Sequence, residues 1–550
     1  MRKLNQFIQG NMSFVTFTLL LAFYFTAIVN LPVYKELNNI LSQLDNVKIG
    51  FVISIPFFFL AALNFLFNLF SWPWIGKPFF IILLMVSSMV SYAGYNYGTL
   101  FDSNMIANIV ETNSSEATSY LSSYSLIWNI LMGVVPALLV FKAPLSQSIN
   151  PIKLVVTKLV SMLASLAVIV IIAGLYYQDY VSVGRNNSYL KKMIIPTQFV
   201  YSATGYVKDT YFSEPILYRN LAMDARQTSV VMQQAQSKPN LLVFVVGETA
   251  RSQNYELNGY TKPTNQYTRD LDIISFQDVS SCGTATAVSV PCMFSLLTRS
   301  NFDRATADNQ DNLLDILKRA NVSLLWKEND GGDKGVAHNT NKIMVERSRK
   351  DEMCNGKTCY DMALFDNFEQ NVESLDGNRM IMLHLIGSHG PTYFQRYPKE
   401  HATFQPDCPR ADIENCSVEE IVNTYDNTIL YTDYVISQTI EKLKSLEDKY
   451  NTALVYVSDH GESLGESGLS LHGMPYSLAP DYQTKVPLMM WMSPGFKTSK
   501  QLNYDCLNQR AQQYDTYSHD NIFHSILGIM DVQTQEYKKS LDIFNTCRPS

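Results

Sequence analysis

Long apolar runs dominate the chain up to about residue 178; beyond it they are short and bounded by polar clusters. Five stretches, near residues 13–31, 49–70, 79–95, 126–141 and 154–177, are each about long enough to cross a bilayer, which takes roughly 20 helical residues. They predict a transmembrane domain of five helices over residues 1–178. Later runs have a different form. Residues 240–246 end at Gly247, Glu248 and Thr249; residues 380–386 end at Gly387, Ser388 and His389; residues 452–457 end at Ser458, Asp459 and His460. A further run, 322–326, precedes Lys327, Glu328 and Asn329. Each reads as a buried strand, and helical patterns over 311–320 and 425–446 lie among them. Alternating strands and helices predict an α/β domain over residues 239–550 with a mostly parallel sheet. Between the halves, residues 179–238 mix aromatic and basic positions. They read either as interfacial helices lying against lipid headgroups or as a plain, partly helical linker.

Charge adds an orientation. Arg2 and Lys3 precede the first apolar stretch, Lys77 lies between the second and third, and Lys142 and Lys153 lie between the fourth and fifth. The loop between the third and fourth holds Asp102, Glu111 and Glu116 but no Lys or Arg. An excess of positive loops on the cytoplasmic side puts the N-terminus in the cytoplasm and, after five spans, the soluble half outside. Lys35 and Lys48, between the first two stretches, run against that pattern. A cleaved signal peptide is the lesser reading of the first stretch, because no small-residue cleavage site follows it. The formal net charge of −7 offers no basic footprint for nucleic acid.

All eight cysteines fall in the second half: Cys282, Cys292, Cys354, Cys359, Cys408, Cys416, Cys506 and Cys547. An even number, with the first three pairs close in sequence and no Cys-x-x-Cys spacing, reads as disulfides in an oxidising compartment rather than as free or metal-binding thiols. Neighbour pairing would join 282 to 292, 354 to 359, 408 to 416 and 506 to 547.

The polar clusters at the strand ends supply the chemistry. In parallel α/β sheets, ligands gather beyond the carboxyl ends of the strands. Glu248, Asp459 and His460 would meet there as an oxygen- and nitrogen-rich set that suits Zn²⁺ or, less well, Mn²⁺. The segment 281–295, rich in small and hydroxyl residues and bordered by Cys282 and Cys292, could hold a hydroxyl beside such a metal. Threonine needs that help to act as a nucleophile. Taken alone, the segment reads better as an extracellular loop braced by a structural disulfide.

Four motifs together carry a resemblance. Gly247-Glu248-Thr249-Ala250-Arg251-Ser252 is the first, and the stretch from Cys282 through Thr286 to Cys292 is the second. Gly387-Ser388-His389-Gly390-Pro391 and Ser458-Asp459-His460-Gly461-Glu462 complete the set. Occurring in this order behind five apolar stretches, they resemble the phosphoethanolamine transferases that modify lipid A. Those enzymes join a membrane domain to a sulfatase-like domain of the alkaline phosphatase superfamily. The resemblance implies that Glu248, Thr286, Asp459 and His460 bind zinc, that Thr286 rather than Thr284 is the nucleophile, and that His389 and His472 bind the phosphoryl group or a second zinc. It implies substrate roles for Asn329, Lys334, Glu462 and, in the loop between the third and fourth stretches, Asn108, Thr112 and Glu116. Asp333 and Ala337 stand where some relatives carry a further cysteine pair.

The function implied is transfer of phosphoethanolamine from phosphatidylethanolamine to a phosphate of lipid A or lipooligosaccharide, through a covalent phosphothreonine. That would lower outer-membrane negative charge and susceptibility to polymyxins. The enzyme would be a monomer in the bacterial inner membrane, its catalytic domain in the periplasm. Alternatives are transfer of phosphoethanolamine or phosphoglycerol to another envelope glycan, and a non-catalytic membrane sensor that kept the fold. A sulfatase is disfavoured because no Cys-x-Pro-x-Arg sequence is present.

Overall fold

The computed structural model describes residues 12–44, 47–112, 114–145, 150–212 and 214–549, with the side chains of Ser115, Glu116 and Ser119 outside the description. Arg2 and Lys3 lie outside the described residues. The chain divides into two compact units: Met1–Ile106 with Ser122–Asp209, and Ala107–Leu121 with Thr210–Ser550. Residues 107–121 of the polar loop between the third and fourth apolar stretches thus pack with the second unit.

The first unit is helical. Among the described residues, four helices are long and apolar enough to span a membrane: Ile49–Phe70, Gly76–Tyr97, Ser123–Lys142 and Pro151–Asn186. The first predicted stretch is instead one arm of a bent pair, Phe14–Val29 and Leu31–Ser42, related by 54°, so the spans number four, or five if that pair is one span. The bend has a local cause. Asn30 lies at the break, its amide donating to Ile195 O (2.7 Å) and its Oδ1 accepting from Ile195 N (2.8 Å). In an apolar medium an unmet backbone group is costly, and a side chain that satisfies another segment's backbone stabilises the break. The last span overshoots its predicted end by nine residues, 178–186, beyond a non-helical Tyr176. Asn64 donates to Ser161 and Ser165 across two of the spans (3.1 and 2.9 Å), a polar seam between otherwise apolar faces.

The second unit is built on a seven-stranded sheet. Its strands in chain order are β1 (Asn240–Gly247), β2 (Ile274–Phe276), β3 (Ser323–Glu328), β4 (Asn341–Met344), β5 (Arg379–His384), β6 (Asn451–Ser458) and β7 (Leu488–Met492). Their spatial order is β2-β7-β6-β1-β5-β3-β4. The sheet is mixed: β7 runs antiparallel to both β2 and β6, and the other neighbouring pairs are parallel. All eight residues of β1 are buried, as expected of a central strand covered on both faces. The helix predicted over 425–446 starts earlier, as Val418–Ser445, because Ser417 and Glu420 form a capping box about two turns upstream. The helix predicted over 311–320 is Leu313–Arg319, started by the Asn312 cap.

Four disulfides join Cys282 to Cys292, Cys354 to Cys359, Cys408 to Cys416 and Cys506 to Cys547. Asp333 and Ala337 are joined by a hydrogen bond, Ala337 N to Asp333 Oδ2 at 2.7 Å.

Candidate active site

Gly247 and Ser458 are register partners at the ends of β1 and β6, so Glu248 and Asp459 leave adjacent parallel strands side by side. The turn is fixed by backbone. Asp459 N donates to Gly247 O (3.0 Å), while Thr249 N (3.1 Å) and His460 N (2.7 Å) both donate to Asp459 Oδ1. Glu248 accepts the Thr249 hydroxyl. Glu248, Asp459 and His460 are fully buried.

Thr286 is the first residue of the helix Thr286–Met293. Its Oγ1 donates to Glu248 Oε2 at 3.1 Å and lies 3.4 Å from His460 Nε2. Thr284 instead donates to Met474 O (2.5 Å), so that hydroxyl is turned away from the carboxylates. The Cys282–Cys292 bridge closes the loop, and Ser289 ties it to β6 by donating to Asp459 O. His519 bridges the same parts, accepting Cys282 N (3.1 Å) and donating to Ser458 O (2.9 Å). Burial lowers its pKa to about 4, so it serves as a neutral strut.

The arrangement fits a cation. His460 Nδ1 donates to Gly461 O (2.9 Å), leaving Nε2 as a lone pair. That lone pair points at Glu248 Oε1 (3.6 Å) and Asp459 Oδ2 (3.4 Å), an arrangement of three acceptors that repel one another. Among the described residues, no donor reaches Asp459 Oδ2. The pKa values reflect the same frustration. Glu248 is pushed well up by burial and then by Asp459 and Asp330; burial lifts Asp459 to about 7 and pushes His460 well down. A divalent ion held by Glu248, Asp459, His460 and Thr286 Oγ1 would satisfy all of these groups.

His389 and His472 stand beside this set. The His472 ring centre lies 4.4 Å from that of His460 and 5.9 Å from that of His389. Glu462, buried and with its pKa raised by that burial, sits 3.4 Å from His472 Nδ1. The loop carrying His389 presses on Glu248. Gly387 has φ +47°, and a Cβ there would meet Glu248 O at 2.6 Å, which requires glycine. Lys334 has its main-chain oxygen bound by Arg304 Nη2 (3.0 Å), and Arg304 Nη1 donates to Ala287 O beside Thr286 (2.5 Å). Asn108 lies on the helix Ser103–Glu111, and its oxygen accepts the Thr112 hydroxyl (2.7 Å). The Glu116 side chain is outside the described residues.

Asn329 has a different setting from its neighbours. Its amide donates to Asp361 Oδ1 (2.8 Å) and Cys359 O (3.2 Å), facing the Cys354–Cys359 hairpin. The next residue, Asp330, is the one whose carboxylate groups with Glu248 and His389, a set the sequence reading missed. Three more residues were missed. Asp361 accepts Ile386 N (2.8 Å) and Gly387 N (3.0 Å) and so positions the His389 loop. Glu328 and His384 form a buried pair under Asp330 (2.8 Å).

A family profile described as Sulfatase matches residues 240–532, and one described as Phosphoethanolamine transferase EptA/EptB matches residues 59–211. Phosphoethanolamine transferase EptA of Escherichia coli K12 is 36% identical over 540 residues, covering 98% of each chain. The chain belongs to the lipid A phosphoethanolamine transferase family. Within this family, Phosphatidylethanolamine transferase Mcr-1 of Escherichia coli is 33% identical, covering 94% of this chain and 95% of that protein. The integral membrane lipooligosaccharide phosphoethanolamine transferase A of Neisseria meningitidis superposes with a TM-score of 0.92 at 35% identity, over 97% of this chain and 98% of that one. The sulfatase-like fold of this transferase therefore accounts for the mixed sheet, with the acidic and histidine side chains gathered at its strand ends.

Proposed function

We propose that this protein transfers phosphoethanolamine from phosphatidylethanolamine to a phosphate of lipid A, by way of a phosphothreonine at Thr286. The observation that carries the reading is the Thr286 hydroxyl at a helix start, 3.1 Å from Glu248 and in one buried cluster with Asp459 Oδ2, which no donor reaches among the described residues. Family membership and the names of the full-length relatives support the donor and the acceptor class.

Zinc held by Glu248, Asp459, His460 and Thr286 would make the threonine hydroxyl more acidic and neutralise phosphoryl oxygens. The chain's own groups do the rest. Glu248 Oε2 accepts the Thr286 proton. Oγ1 attacks the donor phosphorus, the bond to the glycerol oxygen breaks, and diacylglycerol leaves with a proton. His472, oriented by Glu462, and His389 handle that proton. The N-terminal end of the helix that starts at Thr286 carries partial positive charge toward the phosphoryl group. Lys334 offers a further charge, and Asn108, Thr112, Asn329 and Glu116 serve substrate binding. In the second half, an oxygen of the acceptor phosphate displaces Oγ1.

The membrane unit holds the protein in the bacterial inner membrane, with the catalytic unit in the periplasm, as a monomer. Two features support that side: the lysines at 77, 142 and 153, and four disulfides that need an oxidising compartment. Adding an ammonium group to lipid A weakens its attraction for cationic peptides, so polymyxin susceptibility falls. The test is mass spectrometry of lipid A from cells making the wild type or Thr286→Ala. Phosphoethanolamine-bearing lipid A in the wild type alone is expected; equal modification by both contradicts the reading.

A further inference from the structure

A cleft of about 240 Å³ reaches the active site on the side of His389 and Asp330. Its lining includes Arg347, Lys357 and Arg396. Arg396 is 5% exposed, and its guanidinium donates to His389 O (2.8 Å), Thr358 Oγ1 (3.1 Å) and Thr392 Oγ1 (3.0 Å). Its charge therefore lies under the loop that delivers His389. Arg347, half-buried, donates to Asn329 O, directly before Asp330. Lys357 is exposed on the hairpin closed by the Cys354–Cys359 bridge, and Thr358 follows it into the cleft. Among the described lining residues, Asp330 is the single carboxylate, and it groups with Glu248 and His389.

We infer that this cleft is the site for the acceptor's phosphate: a phosphate monoester on a sugar, bound by Arg347, Lys357 and Arg396 beside the loaded Thr286. The inference rests on the function proposed above. It separates the two substrates by charge. The group carried on Thr286 ends in an ammonium, which three cations repel. The acceptor is a phosphate monoester of charge about −1.5 to −2 at neutral pH, the ligand that guanidinium forks match best. The opening at His389 and Asp330 lets one phosphate oxygen approach the phosphorus. That oxygen forms the new P–O bond, the bond from phosphorus to Thr286 Oγ1 breaks, and the proton of the acceptor monoanion ends on Oγ1. The Cys354–Cys359 bridge gains a role as the brace that holds Lys357 and Thr358 at the rim.

The test separates the half-reactions in the full-length protein. The wild type and the Arg347→Gln, Lys357→Gln double variant are incubated with phosphatidylethanolamine, and intact mass follows loading of Thr286. Diphosphoryl lipid A is then added, and loss of the adduct is timed. Arg347 also holds the main chain just before Asp330, so discharge is compared with each protein's own loading rate, and loading is expected to fall far less than discharge. Discharge should need about tenfold more lipid A in the double variant, and Arg347→Lys should recover part of the difference. Discharge at the wild-type lipid A concentration, or equal slowing of loading and discharge, overturns the cleft assignment. A wild type that never loads overturns the function itself, and the inference with it.

Discussion

Glu111 and Arg304 form an ion pair at 3.1 Å although 193 residues separate them. Glu111 belongs to the polar loop between two apolar stretches, and that loop packs with the catalytic unit. The same guanidinium holds the main chain at Ala287 and at Lys334. One planar group thus fixes the loop, the nucleophile helix and the lysine turn with respect to each other. Both side chains are 27% exposed, so the Coulomb gain is modest and the geometry matters more.

Arg304→Lys keeps the charge and loses the fork. Turnover is expected to fall about tenfold with little change in zinc content, because small misplacement of reacting groups is costly. Glu111→Gln should cost less, and the double variant should show coupling of about 0.5–2 kcal/mol in transfer rate. Independent effects would mean that the pair is only a surface contact.

If Glu248, Asp459 and His460 hold zinc as proposed, removing one carboxylate should have opposite effects on metal binding and on bare stability. Asp459→Asn is expected to purify without zinc by elemental analysis. After chelation, its thermal midpoint should exceed that of stripped wild type, because it relieves repulsion among buried Glu248, Asp459 and Asp330. A stripped wild type as stable as the loaded protein would argue against a metal at these residues.

The Glu328–His384 pair gives a pH signature. Burial alone would lower His384, but Glu328 prevails and pushes it up to about 9 from 6.5. Burial alone would raise Glu328, but His384 takes it down to about 2 from 4.5. The histidine contribution is full below pH 6.5 and is lost as pH rises through 9; that of the glutamate is full above 4.5 and is lost as pH falls through 2. The stability difference between wild type and His384→Gln, measured by denaturant titration, should therefore be largest between pH 4.5 and 6.5 and shrink toward pH 9. Breaking such a pair costs about 3–5 kcal/mol at its maximum. A difference that is flat with pH would show that the pair is not charged.

The grouping of Glu248, Asp459 and His460 was legible because each is local to a pattern: an apolar run, then Glu248 or Asp459-His460 at its end. Fully buried strands advertise themselves, and ligands gather where they stop. Asp330 was illegible for the opposite reason. Its approach to Glu248 depends on β5 lying between β1 and β3, a spatial order that no local pattern encodes. The Glu328–His384 pair is likewise a register contact between β3 and β5. The bend at Asn30 was hidden because residues 13–31 read as one mostly apolar run, and the partner at Ile195 is 165 residues away.

The disulfides should differ in weight. Loop-closure entropy favours Cys506–Cys547, 41 residues apart, over Cys354–Cys359, 5 apart. Replacing the former pair with serine should cost about 4 kcal/mol of stability and the latter about 2. The latter should nonetheless impair discharge to lipid A more, if it braces the rim of the cleft. Chemical denaturation and the two timed half-reactions measure these effects.

The most direct test of the central claim is intact-mass analysis of full-length protein after incubation with phosphatidylethanolamine, followed by peptide mapping. The expected result is one added phosphoethanolamine, located on Thr286, that forms only in metal-loaded protein and disappears when lipid A is supplied. An adduct on any other residue, or normal transfer by Thr286→Ala, would contradict the account.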